Sequence, residues 1–235
     1  RPTARQHRPQ HLADSVRGAP PGPPPLRRRV GRSRTPWPVR RRPHDQRGVS
    51  YVDAQNRVGA EAAVAHLIAS GRRCIATIHG TLDLPSATDR LEGYRDALRA
   101  AGHALDPSLE AAGQYRALTA AGAMRSLLSA HQGLDAVFAA SDSMAIAAMQ
   151  AIKDTGRRVP DDIAVMGFDD LPTGRETQPT LSTVRQPIEA MGREMVRLVL
   201  QQVNEPGTAA SQVVFSTELV LRGSTGDEDE PKAST

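Results

Sequence analysis

Cysteine is nearly absent. Cys74 is the only one in 235 residues, which excludes an internal disulfide framework and any thiolate zinc site, and it reads as a small buried hydrophobe. Aromatic residues make up 3% of the chain against 39% hydrophobic overall, so a core must be aliphatic and rich in alanine. No apolar run approaches the roughly 18 residues of a membrane span. No apolar leader opens the chain, so a cytoplasmic protein without a membrane partner is expected. His66, His79, His103 and His131 are scattered without ligand spacing, and no metal is expected. Gly80 is the only hint of a phosphate loop, and neither GxGxxG nor GxxxxGK follows it, so no cofactor is expected.

Residues 1–48 lack Lys, Glu, Asn, Ile, Phe, Tyr, Met and Cys altogether, yet hold thirteen Arg and ten Pro. Their net charge is +11 against +4 for the whole chain, which leaves the remainder acidic at −7. Such a segment has no apolar periodicity and cannot bury enough surface to offset its ordering entropy. Three readings compete. It could be a basic arm that binds nucleic acid through Arg27–Arg29 and Arg40–Arg42, or a linker. The favoured reading is a shifted frame of GC-rich DNA, since the missing residues have AT-rich codons and the chain opens on Arg1.

From about Tyr51 the pattern becomes repeated helix and strand. Helices are expected over Val58–Ser70, Asp89–Ala101, Ala117–Ala130, Ser143–Thr155 and Pro187–Val203, three of them stopped by Gly71, Gly102 and Gly156. The second is expected to be capped by Ser86 and Thr88, with Leu91, Tyr94, Leu98 and Ala101 on its apolar face. The last carries Ile188, Met191, Met195, Leu198 and Val199 as its stripe. Continuous apolar strands lie between the helices at Cys74–Ile78, Asp135–Ala140 and Ile163–Phe168, with one or two β-branched strands over Gln212–Leu221. Apolar strands alternating with helices predict an α/β fold, a parallel sheet flanked by helices. A domain over 49–225 and a disordered acidic tail over 226–235 follow.

Ligands of open α/β sheets bind beyond the carboxyl ends of the strands. There the chain places a loop leading to Arg90, then Ser141 and Asp142, then Asp169 and Asp170. An Arg with a carboxylate can grip vicinal hydroxyls, one donating and the other accepting. Blander readings stand beside these. Arg90 could be an exposed helix residue, Asp142 a helix N-cap and Asp169 a turn cap with Asp170. Asp161 and Asp162 read as turn acids, and His66 as structural.

The stretch RRVPDDIAVMGFDDLPTGRETQPTLSTVRQP, Arg157–Pro187, resembles the C-terminal signature of LacI/GalR-family transcriptional regulators. NRVGAEAAVAHLIASGRRCIATIHG and DRLEGYRDAL resemble the helix and strand that open the family's C-terminal effector subdomain and its Arg-Leu-x-Gly-Tyr/Trp helix. The resemblance runs from about Gln55 to Thr225. It implies mainly the C-terminal subdomain of a periplasmic-binding-protein-like type I fold. It also implies a sensor of a small-molecule effector, a sugar or similar polar ligand. Arg90, Tyr115, Ser141, Asp169 and Gln186 then become effector-binding candidates. Tyr115 could instead pack on the surface, and Ser141 is shorter than the Asn frequent at its position. The resemblance further implies a homodimer in the intact protein, and operator DNA reached only through a helix-turn-helix that residues 1–50 do not contain. The returning helix from Pro187 would then have lost its sheet, and half of the cleft with it.

Two other classes remain open. One is a free-standing solute-binding protein. The other is an α/β enzyme, against which stands the lack of an assembled Ser-His-Asp set or paired catalytic carboxylates. If the head is unstructured, limited proteolysis should remove it before cutting after about Tyr51; a protected fragment that begins before residue 30 would contradict the expectation.

Overall fold

Strand alternation decides the layering. The structure, a computed structural model, describes residues 49–227. Four short strands form a parallel sheet in the order β3-β2-β4-β5: β2 (Ile75–His79), β3 (Glu110–Ala112), β4 (Ala136–Ala139) and β5 (Ala164–Met166). Successive side chains of a strand point to opposite faces. Ile75, Ala136, Phe138, Ala164 and Met166 therefore enter one core, and Ala76, Ile78, Val137, Ala139 and Val165 the other. Both faces are apolar, so the strands read as unbroken hydrophobic runs.

Helices α1 (Asn56–Ala69) and α2 (Pro85–Ala100) cover the first face with Ala60, Val64, Leu67, Leu91, Tyr94 and Leu98. Helices α3 (Ala117–Ala130) and α4 (Asp142–Asp154) cover the second with Met124, Leu127, Met144, Ala148 and Ile152. Ala101, expected on the apolar face of α2, is its exposed C-cap. Helix α2 also starts a turn earlier than expected, on Pro85, which suits a first helical turn. Its N-cap is Leu84 without a side-chain hydrogen bond, so Ser86 and Thr88 are helical residues and not caps. Cys74 is half-buried at the edge of the second core. Gly71, Gly102 and Gly156 follow their helices in left-handed conformation, as predicted.

Three strands are not evident from hydropathy. Edge strand β3 is held by a fork from Arg95 of α2 onto Glu110, at 2.8 and 2.6 Å. Strand β6 (Thr183–Arg185) joins the β5 edge through single parallel bridges and pairs antiparallel with β8 (Glu218–Val220). Strand β1 (Tyr51–Ala54) pairs in parallel with β7 (Gln212–Phe215).

That last pair corrects the expectation that the returning helix lacks a sheet. Helix α5 (Ile188–Asn204) lays Met191, Leu198 and Met195 on Val52, Ala54, Val213 and Phe215 of the β1–β7 ribbon. Ile188, expected inward, is exposed, as are Val196, Leu200 and Val203 on the outer face of α5. The expected tail begins inside an ordered turn, where Asp227 accepts from the Thr225 hydroxyl (2.6 Å) and lies 3.1 Å from His66. The Arg/Pro-rich head over residues 1–48 and the rest of the tail, 228–235, lie outside the described residues.

No helix among the described residues is long and apolar enough to cross a membrane. Helices α1 and α2 approach closely where Gly93 faces Arg57. A Cβ at Gly93 would lie 2.2 Å from the Arg57 carbonyl oxygen and 2.9 Å from Ala60 Cβ. Backbone cannot yield there as a side chain could, so Gly93→Ala should cost roughly 1–3 kcal/mol as an overpacking lesion. Urea unfolding checks this; an unchanged midpoint would show that the helices separate freely.

Candidate functional site

Strand order 3-2-4-5 means the chain leaves β2 in one direction for β3, then returns past β2 to reach β4. A crevice opens at such a reversal beyond the carboxyl ends of the two strands. A cavity of about 270 Å³ lies there, and Arg90, Tyr115, Ser141, Asp169 and Gln186 all line it. Sequence reasoning did not single out Asp53, Asn56, Ser143 or Met191 as site residues, and gave Ser86 only a capping role; these line it too.

Arg90 is no exposed helix residue; it is 5% exposed. Its Nε donates to Asn56 Oδ1 (2.9 Å), and its Nη1 to the Ala140 carbonyl (2.6 Å) and to Asp169 Oδ1 (3.4 Å). Its guanidinium carbon lies 3.6 Å from the centroid of the Phe168 ring, a cation–π stack. Nη2 makes no hydrogen bond among the described residues and keeps its protons to offer. The chain of contacts runs on at both ends. Asn56 Nδ2 donates to Asp53 Oδ1 (2.9 Å), and Gln186 Nε2 to Asp169 Oδ1 (2.5 Å). Five side chains from β1, α1, α2, the β5 end and the β6 end are thus aligned by one another.

Tyr115 turns in from the loop before α3 with a φ of 57°. Its ring lies so close over Gly80 that a Cβ there would come within 2.2 Å of ring carbons. That explains Gly80 without any phosphate. The Tyr115 hydroxyl is buried with no hydrogen-bond partner among the described residues. Ser141, not Asp142, is the N-cap of α4, its hydroxyl accepting from the Met144 amide at 3.4 Å.

Asp142 is wholly buried one residue later, accepting from the Thr183 hydroxyl (2.6 Å) and the Leu171 amide (2.7 Å). It ties α4 to β6 and to the loop after β5. Burial pushes its carboxyl up to about 6, against the pull of those two hydrogen bonds.

Asp170 does not reach the cavity. It accepts from Arg185 (2.7 Å), Arg222 (2.7 Å) and Arg175 (3.1 Å). Burial alone would raise its carboxyl, but the hydrogen bonds from Arg185 and Arg222 outweigh this and hold it below the usual range. Asp169 and Asp170 both have positive φ, 127° and 59°, strain that these clamps hold in place. Asp161 and Asp162 pair with Arg158 on the surface. No group of three His, Cys, Asp or Glu that could hold a metal occurs among the described residues.

The arrangement presents directed donors and acceptors around a polar cavity, with no nucleophile–base pair among its lining residues. Comparison with known proteins agrees in kind. The family model of the periplasmic binding protein-like domain matches residues 64–225. The HTH-type transcriptional regulator CelR of Thermobifida fusca is 43% identical over 176 residues, 75% of this chain and 52% of its own length. The HTH-type transcriptional repressor CytR of Escherichia coli is 35% identical over 174 residues, 74% and 51% of the two chains. The chain thus spans about half the length of these curated relatives. A solved CelR–cellobiose complex superposes with a TM-score of 0.76 at 41% identity, covering 80% of this chain and 57% of that one. A LacI-family regulator from Sanguibacter keddieii gives a TM-score of 0.74 at 34% identity, covering 82% and 72%.

The Asp142 carboxyl generates a prediction. Its folded value of about 6 lies above the ordinary 3.8. Its stabilising contribution is therefore full below about pH 4 and lost as pH rises to about 6, on the order of 3 kcal/mol in all. Asp142→Asn keeps an acceptor for Leu171 and gains a donor for Thr183. Its stability relative to wild type should thus improve by about that amount between pH 4 and pH 7. A difference independent of pH in chemical denaturation would show that Asp142 is not buried as a charge.

Proposed function

The chain belongs to the LacI family of transcriptional regulators, within its periplasmic-binding-protein-like domain, and from that premise we propose that it is the effector-sensing portion of such a regulator. It binds a sugar or similar small polar ligand in the cavity, and the whole protein couples that binding to its hold on operator DNA. Operator contact, a homodimeric partner and a cytoplasmic location belong to the same reading. The family is one of regulators and not of enzymes.

One observation carries the ligand class. Arg90 Nη2 offers protons beside carboxylates that Asn56 and Gln186 hold in place. A donor and acceptors fixed before the ligand arrives suit vicinal hydroxyls, and pre-ordering reduces the entropy lost on binding. Tyr115 supplies an apolar ring of the kind that packs against a sugar's C–H face. The cellobiose bound by CelR makes cellobiose the first ligand to try.

Titration of the 235-residue chain against a panel of neutral mono- and disaccharides, cellobiose included, tests this by calorimetry or NMR. Each charge-assisted hydrogen bond is worth roughly 1.5–3 kcal/mol, so Asp169→Ala and Arg90→Lys should each weaken binding at least about tenfold. Arg90→Ala should do the same but also lose the stack on Phe168, and with it stability. If a sugar binds and these variants hold it as tightly as wild type, the site assignment is wrong.

A further inference from the structure

Three full charges line the cavity: Arg90 against Asp53 and Asp169. Asp53 stands out among them. It is 7% exposed, at the carboxyl end of β1. Its Oδ1 is fully engaged, accepting from the Ala54 amide (2.8 Å) and from Asn56 Nδ2 (2.9 Å). Its Oδ2 accepts nothing from any described residue. Asp53 lines the cavity, so this oxygen is left to water or to a ligand donor.

We infer that Asp53 is a specificity-determining residue whose Oδ2 accepts a hydroxyl proton from the ligand, so that the cleft takes neutral, hydroxyl-rich sugars and rejects sugar acids and sugar phosphates. The inference deepens the effector-binding reading and rests on it. An anionic ligand would bring a third negative group against a single arginine whose Nη1 is already spent on Ala140 and Asp169. Neighbouring cations do not reverse the balance. Arg185 is paired with Asp170 and Glu218, and Arg193 with Glu189. Helix N-termini at the sheet's carboxyl edge favour anions in general. Here the first turn of α4 already holds Asp142, and Asp53 sits two residues before the N-cap of α1. An anion-binding cleft of this design would leave those positions to the ligand.

The plainer role for Asp53 is to position Asn56, and through it Arg90. Asp53→Asn separates the two roles. The variant keeps an oxygen for Ala54 and Asn56 and changes only the outer atom, from acceptor to donor. The experiment compares cellobiose with cellobiouronic acid, in which a carboxylate replaces the C6 hydroxymethyl of the non-reducing ring, and glucose with glucuronate. Both pairs are titrated into the wild-type chain and Asp53→Asn.

Wild type should bind the neutral member of each pair at least about tenfold more tightly, and Asp53→Asn should narrow that preference by at least about tenfold. The unfolding midpoint without sugar should stay unchanged. Asp53→Ser, which also leaves an oxygen for the Ala54 amide, should lose the preference likewise if the asparagine variant fails to fold. A wild type that binds the acid as tightly as the neutral sugar overturns the inference and leaves the sugar-sensing reading standing. A preference that survives both substitutions overturns Asp53 as its source. Failure of wild type to bind these four sugars and every other neutral sugar of the panel overturns the sugar-sensing reading and this inference with it.

Discussion

Burying a guanidinium is costly unless its donors are answered and its charge is balanced. Arg90 meets that condition with three acceptors from three segments: Asn56 at the start of α1, Ala140 after β4 and Asp169 after β5. The face of the Phe168 ring supplies the rest. Each of these partners is thereby fixed relative to the others, and the mouth of the sheet acquires one geometry. The same arrangement leaves Nη2 without a hydrogen bond among the described residues, which is what the proposed role of Arg90 in ligand recognition requires.

The strained turn at Asp169–Asp170 is the second part of that arrangement. Two consecutive non-glycine residues at positive φ cost of order 1–3 kcal/mol each, and such strain persists only where the surroundings over-determine it. Asp170 is locked by Arg175, Arg185 and Arg222. Asp169 is bonded to Arg90 and Gln186. The three arginines of Asp170 come from the loop after β5, from β6 and from the segment after β8, so the clamp also closes the open edge of the sheet. Asp142 works beneath it, joining α4 to the same loop and to Thr183.

Periodicity carried the layers. Unbroken apolar runs at β2, β4 and β5 and the stripes of α1 to α4 are strong signals because both faces of the sheet are buried. Strands β1, β3 and β6 are short and contain polar residues whose placement depends on tertiary partners such as Arg95 for β3. The missed β1 had a direct consequence. A helix expected only from Val58 leaves Asp53 without a strand to end, although the rule that selects Asp169 selects Asp53 once β1 is in place. Met191 offers no signal of its own, since an apolar stripe does not say which of its members meets a cavity. Asp favours the N-cap, which points to Asp142 for that place; Ser141 takes the cap, and burial gives Asp142 its other task. Arg90 and Asp169 were legible through motif and strand-end position together.

If Arg90 and its partners form one pre-ordered sugar cleft, a ligand should quiet their segments and leave the rest of the domain alone. Hydrogen–deuterium exchange of the chain with and without a saturating neutral disaccharide measures this directly. The account predicts added protection over 53–57, 86–90, 140–144, 168–170 and 185–191, the segments that meet at the carboxyl ends of the strands. Protection confined to the α3–β3 edge, or spread evenly over the domain, would contradict it.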